Sequence, residues 1–468
     1  MPLQSINPAT GETRETFEEI SAEDVRKAIE EANAAWKDWR RRGIAERAHM
    51  MRKAADILRE GARDYGRLMS EEMGKPIAQA VAEAEKCAWC CDYYADNAGM
   101  FLAPEIVETG HRKSLVTFKP LGVILAVMPW NFPFWQAFRF AAPSLMAGNA
   151  AVLKHASNVP ACALATEDVF RKAGFPENLF RTLLIGSGAV DEVIEDPLVR
   201  AVTLTGSGAA GRAVASKAGG ALKKTVLELG GSDGYLVLED ADIAFAAETA
   251  AKGRLINSGQ SCIAAKRFIV HESVRAAFEE AFVEEMRKAK MGDPLSEDTT
   301  IGPMARRDLR DALHRQVEDS LAKGANCLLG GSVPEGPGAY YPPTVLSGVK
   351  PGMPAYDEEM FGPVAAVISV ADEAEAVKVA NDTVFGLGGG IFTRDLERGE
   401  RLAREAVEAG SVFVNATVQS HPKLPFGGIK ESGYGRELSH YGIKEFVNIK
   451  TVVVSDGSAP ETPSAQSE

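Results

Sequence analysis

The chain has 468 residues, 45% hydrophobic, 25% charged and 7% aromatic, ordinary values for a globular protein, with length for about two to four domains at ~100–200 residues each. Its 65 acidic and 52 basic side chains leave a net charge of −13, which argues against a nucleic-acid or anionic-membrane partner held by bulk electrostatics. Six cysteines are too few for a disulfide framework and read as a reducing, cytoplasmic setting.

Residues 1–20 lack the basic segment and apolar run of a signal peptide. The longest apolar run, 121–128, stops at Pro129 and is less than half of a membrane span. The first hundred residues read as helices. Ser21 caps one, with Asp24 in its first turn, and an amphipathic run extends from about 45 to 83. Cys87, Cys90 and Cys91 follow in a helical stretch. A zinc site wants four ligands, and no second Cys or His pair stands at suitable spacing, so no metal is expected. These three, with Cys162 and Cys327, read as core cysteines. Short alternating runs between 105 and 119, such as 114–118, predict a hairpin-like excursion.

A regular alternation comes next. Apolar runs at 122–128, 150–154, 179–185, 201–205 and 224–229 are separated by helical patterns near 134–147, 159–173, 188–195 and 209–218. This predicts βαβ units in an α/β fold with a doubly wound parallel sheet. A second α/β segment spans about 235 to 415. The tail, 457–468, is rich in Pro, Ser and Glu and is predicted to be disordered.

Two local features carry chemistry. The strand-like 201–205 leads into Gly206-Ser-Gly-Ala-Ala-Gly211, literally G-x-G-x-x-G, with Glu228 about 20 residues on. The match reads as a nucleotide site or as plain turn glycines, and Glu228 as a ribose acid or a strand-end carboxylate. Cys262 ends the small, polar stretch Asn257-Ser-Gly-Gln-Ser-Cys262, able to present a thiol to a cleft. Spacing alone leaves both a nucleophile and a buried cysteine open.

Six ordered motifs then line up: Met128-Pro-Trp-Asn-Phe-Pro133, Leu227-Glu-Leu-Gly-Gly231, Ser258-Gly-Gln-Ser-Cys262, Glu359-Met-Phe-Gly-Pro-Val364, Asn381-Asp-Thr383 and Pro425-Phe-Gly-Gly-Ile-Lys-Glu-Ser-Gly433. Together they resemble the aldehyde dehydrogenase superfamily, nearly end to end. Lys154-His-Ala, Leu229-Gly-Gly-Ser-Asp and Gly435-Arg-Glu-Leu-Ser-His440 look closest to its bacterial NAD(P)-dependent succinate-semialdehyde branch. The resemblance implies a Rossmann-like cofactor domain over 1–104 and 121–229 and an α/β catalytic domain over 230–430. It also implies a small β oligomerisation flap over 105–120 and 447–456, and a homodimer or homotetramer.

It implies roles too. Cys262 is the nucleophile that forms a thiohemiacetal and then a thioester. Asn131 stabilises the oxyanion, and Glu228 is the general base for hydrolysis, displacing the ribose reading. Lys154, Ser207, Gly206, Trp130, Glu359 and Phe361 would hold NAD or NADP. The family's NAD-preferring pattern has an acid three residues beyond the lysine; here that position is Ser157, so NADP is expected to be accepted as well. Arg139 and Trp135 share a helix face with Asn131, Arg139 lying about 12 Å along the axis at ~1.5 Å per residue. The family's semialdehyde branch matches an arginine at this place, so Arg139 is expected to read the substrate carboxylate. The second arginine often found six residues before the cysteine is Ile256 here, which leaves room for glutarate semialdehyde or uncharged aldehydes. Ser420 and His421, with Gln419, are expected to add polar contacts to the tunnel. The rival readings are a broad aliphatic or aromatic aldehyde dehydrogenase and a catalytically silent scaffold. The scaffold would be expected to lack Cys262, Glu228 or Asn131.

Overall fold

The computed structural model describes residues 2–457; the predicted tail lies, but for Gly457, outside the described residues. Two parallel-rich sheets organise the chain. In the first, five parallel strands run in the spatial order Lys224–Glu228, Val199–Thr205, Val123–Met128, Ala150–His155 and Phe180–Thr182, and Gly433–Tyr434 adds antiparallel at one edge. Its central strands are near-continuous Val, Ile, Leu and Ala runs with almost every residue buried, the pattern of a parallel sheet covered on both faces. The helices Pro133–Ala147, Pro160–Lys172 and Gly208–Gly220 fall where the alternation predicts them.

The second sheet has seven strands, in the order Asn326–Leu329, Thr344–Ser347, Val364–Val370, Arg267–His271, Gly234–Val237, Gly388–Phe392 and Ser411–Val414. Only its first strand is antiparallel to its neighbour. A third sheet joins Glu105–Ile106, Lys113–Pro120 and Val447–Val454, all antiparallel. The predicted excursion is therefore completed by a strand from the far end of the chain.

Three expectations need correction. The first hundred residues are not all helical: Leu3–Ile6 and Thr13–Phe17 form an antiparallel pair. The run expected from 45 to 83 is three helices, Ile44–Glu60, Ala62–Met73 and Ile77–Phe101. Left-handed Gly74 and then Pro76 stop its middle member. Cys87, Cys90, Cys91 and Cys162 are buried as expected, but Cys327 is exposed. It lies on the antiparallel edge strand, where no further strand among the described residues covers it.

The helical N-terminal part fixes the first sheet through two buried glutamates. Glu72 accepts the N–H groups of Ala161 and Cys162 at 3.1 and 2.8 Å. Glu83 accepts those of Phe134 and Trp135, both at 2.9 Å. Each carboxylate thus satisfies donors that a helix start leaves unpaired, at the positive end of the helix dipole. Buried Lys75 pairs with Glu83 and lies 3.8 Å from the Phe132 ring centroid.

Candidate active site

The first sheet delivers its chemistry at the carboxyl ends of neighbouring strands, the usual place for a ligand crevice in an open α/β sheet. Asn131 follows the strand Val123–Met128, Lys154 and Ser157 close the strand Ala150–His155, Gly206 and Ser207 follow Val199–Thr205, and Glu228 ends Lys224–Glu228. Thr205 and Glu228 are register partners.

Cys262 comes from the other side, on a loop that packing holds in an unusual shape. Asn257, Ser258 and Gly259 all have positive φ, at 53°, 54° and 77°. A Cβ on Gly259 would stand 2.2 Å from the Gly362 carbonyl oxygen, so only glycine fits. Hydrogen bonds determine the rest: Ser258 Oγ bonds with the backbone of Gly302, and Gln260 Oε1 accepts the Ala305 N–H at 2.9 Å. Arg254 donates to the Gly259 carbonyl at 2.5 Å. Such over-determination is what lets strained backbone persist at a functional site.

The two halves meet at Gln260. Its carbonyl accepts from Asn131 Nδ2 and from Asn257 Nδ2, both at 3.1 Å, and Asn257 Nδ2 also donates to the Asn131 carbonyl at 2.6 Å. One N–H of the Asn131 amide is thereby used; its second has no acceptor among the described residues. Burial pushes the Cys262 thiol up to about 12, against the opposing charges of Arg139 and Lys266. In this state the thiol keeps its proton, and those two cations favour losing it.

A cavity of about 840 Å³ opens on Cys262. Trp135, Arg139, Gln419 and Ser420 line it, as does Lys86. Ser420 Oγ accepts from Trp135 Nε1 at 3.1 Å and from Lys86 Nζ at 2.9 Å. His421 is not part of the wall; its ring meets Trp89 edge-on, with centroids 4.6 Å apart. Arg139 is fully buried and ion-paired with Glu437, donates to Thr205 Oγ1 at 3.3 Å, and lies over Phe426 at 4.6 Å. Glu228 is buried and outside that wall, with no hydrogen-bond partner on either carboxylate oxygen among the described residues. Burial, and the neighbouring Glu437 charge, raise its pKa well above the carboxylate range, while Arg139 and Arg436 oppose the shift. A buried carboxyl with its pKa shifted upward in this way suits an acid–base group.

A second group of residues suits a dinucleotide. Lys154 is buried, and desolvation lowers its pKa while Glu19 opposes this. Ser207 caps the 13-residue helix Gly208–Gly220 and is exposed at its positive end. Ser157 is exposed beyond Lys154, with no carboxylate side chain between them in the chain. Trp130 and Phe361 meet edge to face at 5.8 Å. Glu359 accepts the Gly231 N–H at 3.1 Å, and its other oxygen would stand 2.4 Å from a Cβ on Gly230. A cation, a helix start, a carboxylate and an aromatic pair match the phosphates, ribose hydroxyls and ring of NAD(P), so the residues fit that group. Within the G-x-G-x-x-G string, a Cβ on Gly211 would clash with Leu229 at 2.6 Å, a packing role.

Sequence reasoning missed Lys86, Lys266, Glu83 and Glu437. Lys86 carries no clear signal of its own, since exposed Glu85 and Trp89 stand beside it on the helix Ile77–Phe101. Among the described residues, no group of three or more His, Cys, Asp or Glu could hold a metal ion, and no helix is long and apolar enough to cross a membrane.

Two α/β sheets facing a thiol loop define a thiol-dependent enzyme with a dinucleotide crevice, and comparison with known proteins agrees. The chain belongs to the aldehyde dehydrogenase family, whose model matches residues 1–452. It is 50% identical to a probable NADP+ succinate-semialdehyde dehydrogenase of Synechocystis, covering 97% of this chain and 100% of that protein. It is also 50% identical to the NADP+ succinate-semialdehyde dehydrogenase 1 of Mycobacterium tuberculosis, with the same coverage. Among solved structures, succinic semialdehyde dehydrogenase from Streptococcus pyogenes, in complex with NADP+, superposes with a TM-score of 0.95 at 38% identity, covering 97% of this chain and 100% of that one.

Proposed function

We propose that this protein oxidises succinate semialdehyde, or a similarly short aldehyde ending in a carboxylate, to the acid with NADP+ or NAD+. The observation that carries this reading is that, of the four cations lining the cavity that holds Cys262, Arg139 is buried and Lys86 half-buried, while Lys252 and Lys288 are exposed. The names of the relatives support the same substrate and cofactor.

In this reading Cys262 attacks the aldehyde carbon as a thiolate, forming an S–C bond and moving the carbonyl electron pair onto oxygen. The free N–H of Asn131 donates to that oxyanion; losing one such donor typically costs ~10²–10³ in rate. When bound, NAD(P)+ supplies the two-electron acceptor for the thiohemiacetal carbon. Cys262 is then left carrying a thioester. Glu228 takes a proton from water, which adds to the thioester carbon, and the C–S bond breaks to release the carboxylic acid. Arg139 supplies positive charge between Cys262 and the Glu228–Glu437 pair. Lys154, Ser157, Gly206, Ser207, Trp130, Glu359 and Phe361 hold the cofactor. With Ser157 three residues beyond Lys154, a 2′-phosphate meets no carboxylate at that position, which favours accepting NADP.

The units 1–104 with 121–229, and 230–430, are read as the cofactor and catalytic domains. The three-stranded sheet leaves Ile106, Ile449, Val453 and Val454 exposed, and unpartnered apolar strands need covering. This supports a flap that pairs protomers into a homodimer or homotetramer. Six free cysteines accord with the cytoplasm. Steady-state rates on succinate semialdehyde, glutarate semialdehyde, butanal and benzaldehyde with each cofactor test the proposal. A steep preference for the carboxylated aldehydes, with NADP+ reduced, is expected; equal rates on butanal would overturn it.

A further inference from the structure

The cations of the cavity wall differ in what they already hold. The exposed Lys252 and Lys288 pair with Glu248 and Glu285, both at 2.5 Å, and Arg139 pairs with Glu437. Lys86 alone among the wall's cations has no carboxylate within ion-pair distance among the described residues. Its ammonium lies 4.3 Å from the Trp135 ring centroid and gives one of its three N–H groups to Ser420 Oγ. Ser420 Oγ accepts from both Lys86 and Trp135, so its own O–H is directed elsewhere. Two ammonium N–H groups and one hydroxyl therefore stand together without an acceptor among the described residues. That is a donor set for a carboxylate.

We propose that Lys86, with Ser420, receives the terminal carboxylate of the substrate, so that Lys86 supplies the second cation that Ile256 does not. This rests on the semialdehyde reading above and refines it, for Arg139 is already committed to Glu437 and Thr205. The position is built by the helix that carries it. One turn before Lys86, Glu83 pins the start of the helix Pro133–Ala147, which places the Trp135 ring under the ammonium. Burial and the Arg139 charge bring the Lys86 amine down to about 8, with Cys87, Glu83 and Cys90 on its own helix opposing. His421, in the loop beside Ser420, is the other titratable group that feels it. The amine is mainly charged at neutral pH, and an arriving carboxylate favours that form.

The test compares wild type, Lys86→Met and Lys86→Arg on succinate semialdehyde and on butanal, which has the same chain length without the carboxylate. Lys86→Met is expected to raise KM for succinate semialdehyde by about 10–100-fold, the range of a charged hydrogen bond, with a small change in kcat. Butanal kcat/KM should hold or rise, and Lys86→Arg should recover part of the loss. In wild type, KM for succinate semialdehyde should climb above pH about 8, a climb that Lys86→Arg shifts upward. Thermal unfolding and NADP+ binding of each variant report folding. An unchanged ratio between the two substrates in folded Lys86→Met would overturn the assignment while leaving the semialdehyde reading intact. A wild type without preference for the carboxylated aldehyde would overturn both.

Discussion

Lys266 Nζ donates a hydrogen bond to the carbonyl of Cys262 at 2.7 Å. It also reaches the Ser261 carbonyl at 2.9 Å and pairs with Glu359 at 3.3 Å. One buried ammonium therefore ties the thiol loop to a carboxylate proposed to hold the cofactor. Burial lowers its pKa, while Glu359 and Asp233 hold the charge on it. Replacing it by Met leaves Glu359 without its cation and the loop carbonyls without their donor. Lys266→Met is expected to cost about 3 kcal/mol or more, read as a lower urea midpoint. It should also slow alkylation of Cys262 by iodoacetamide, since a cation favouring thiolate is gone. An unchanged midpoint and alkylation rate would refute this role.

Glu83 does for the helix Pro133–Ala147 what Lys266 does for the thiol loop. Its Oε1 takes two backbone N–H groups and its Oε2 meets Lys75, buried like itself. Glu83→Gln keeps an acceptor for the helix but strands the Lys75 charge, and breaking a buried pair in this way typically costs about 3–5 kcal/mol. Equilibrium unfolding should show that loss. Because Trp135 is one of the residues pinned, KM for the aldehyde should rise as well.

Glu228→Gln separates the two halves of the reaction. If Glu228 activates water only after the aldehyde carbon has been oxidised, the variant still forms the thioester once. A rapid burst of NADPH, near one equivalent per site, should precede a steady state about 10²–10⁴ slower, the range for losing a general base. A burst that disappears together with turnover would place Glu228 before the oxidation step instead.

The alternation of strands and helices was readable because the central strands of the first sheet are apolar on both faces and are separated by helical patterns. Runs such as Val123–Met128 and Ala150–His155 leave little choice of structure. The three residues proposed for catalysis could be singled out because they sit in contiguous motifs. What could not be read are contacts made across the chain. Lys86 meets Ser420 across 334 residues, and its helix looks the same in sequence whether the amine faces solvent or a cavity. Arg139 was legible as a cation near the site, but its pairing with Glu437 depends on the strand Gly433–Tyr434 adding beside Glu228. The hairpin of Leu3–Ile6 with Thr13–Phe17 was hidden because four of the five residues in its second strand are exposed and carry no apolar alternation.

His155 gives the fold a pH dependence of known sign. It is buried beside Lys154, its Nε2 lies 2.9 Å from the Pro133 carbonyl, and its Nδ1 accepts the Ala156 N–H at 2.9 Å. The second contact needs a bare Nδ1, so the ring is the neutral tautomer that donates from Nε2. Burial, with the Lys154 charge adding to it, brings its pKa from 6.5 down to about 4. The unfolded chain therefore takes up this proton first as pH falls. The stability that the neutral ring contributes is whole above about pH 6.5 and is lost between there and about pH 4, to a total of about 3 kcal/mol. Urea unfolding of wild type and His155→Gln at pH 7, 5.5 and 4.5 measures it, because the carboxylates titrate alike in both. Wild type should lose stability more steeply than the variant across that window; parallel curves would mean that His155 is protonated in the fold.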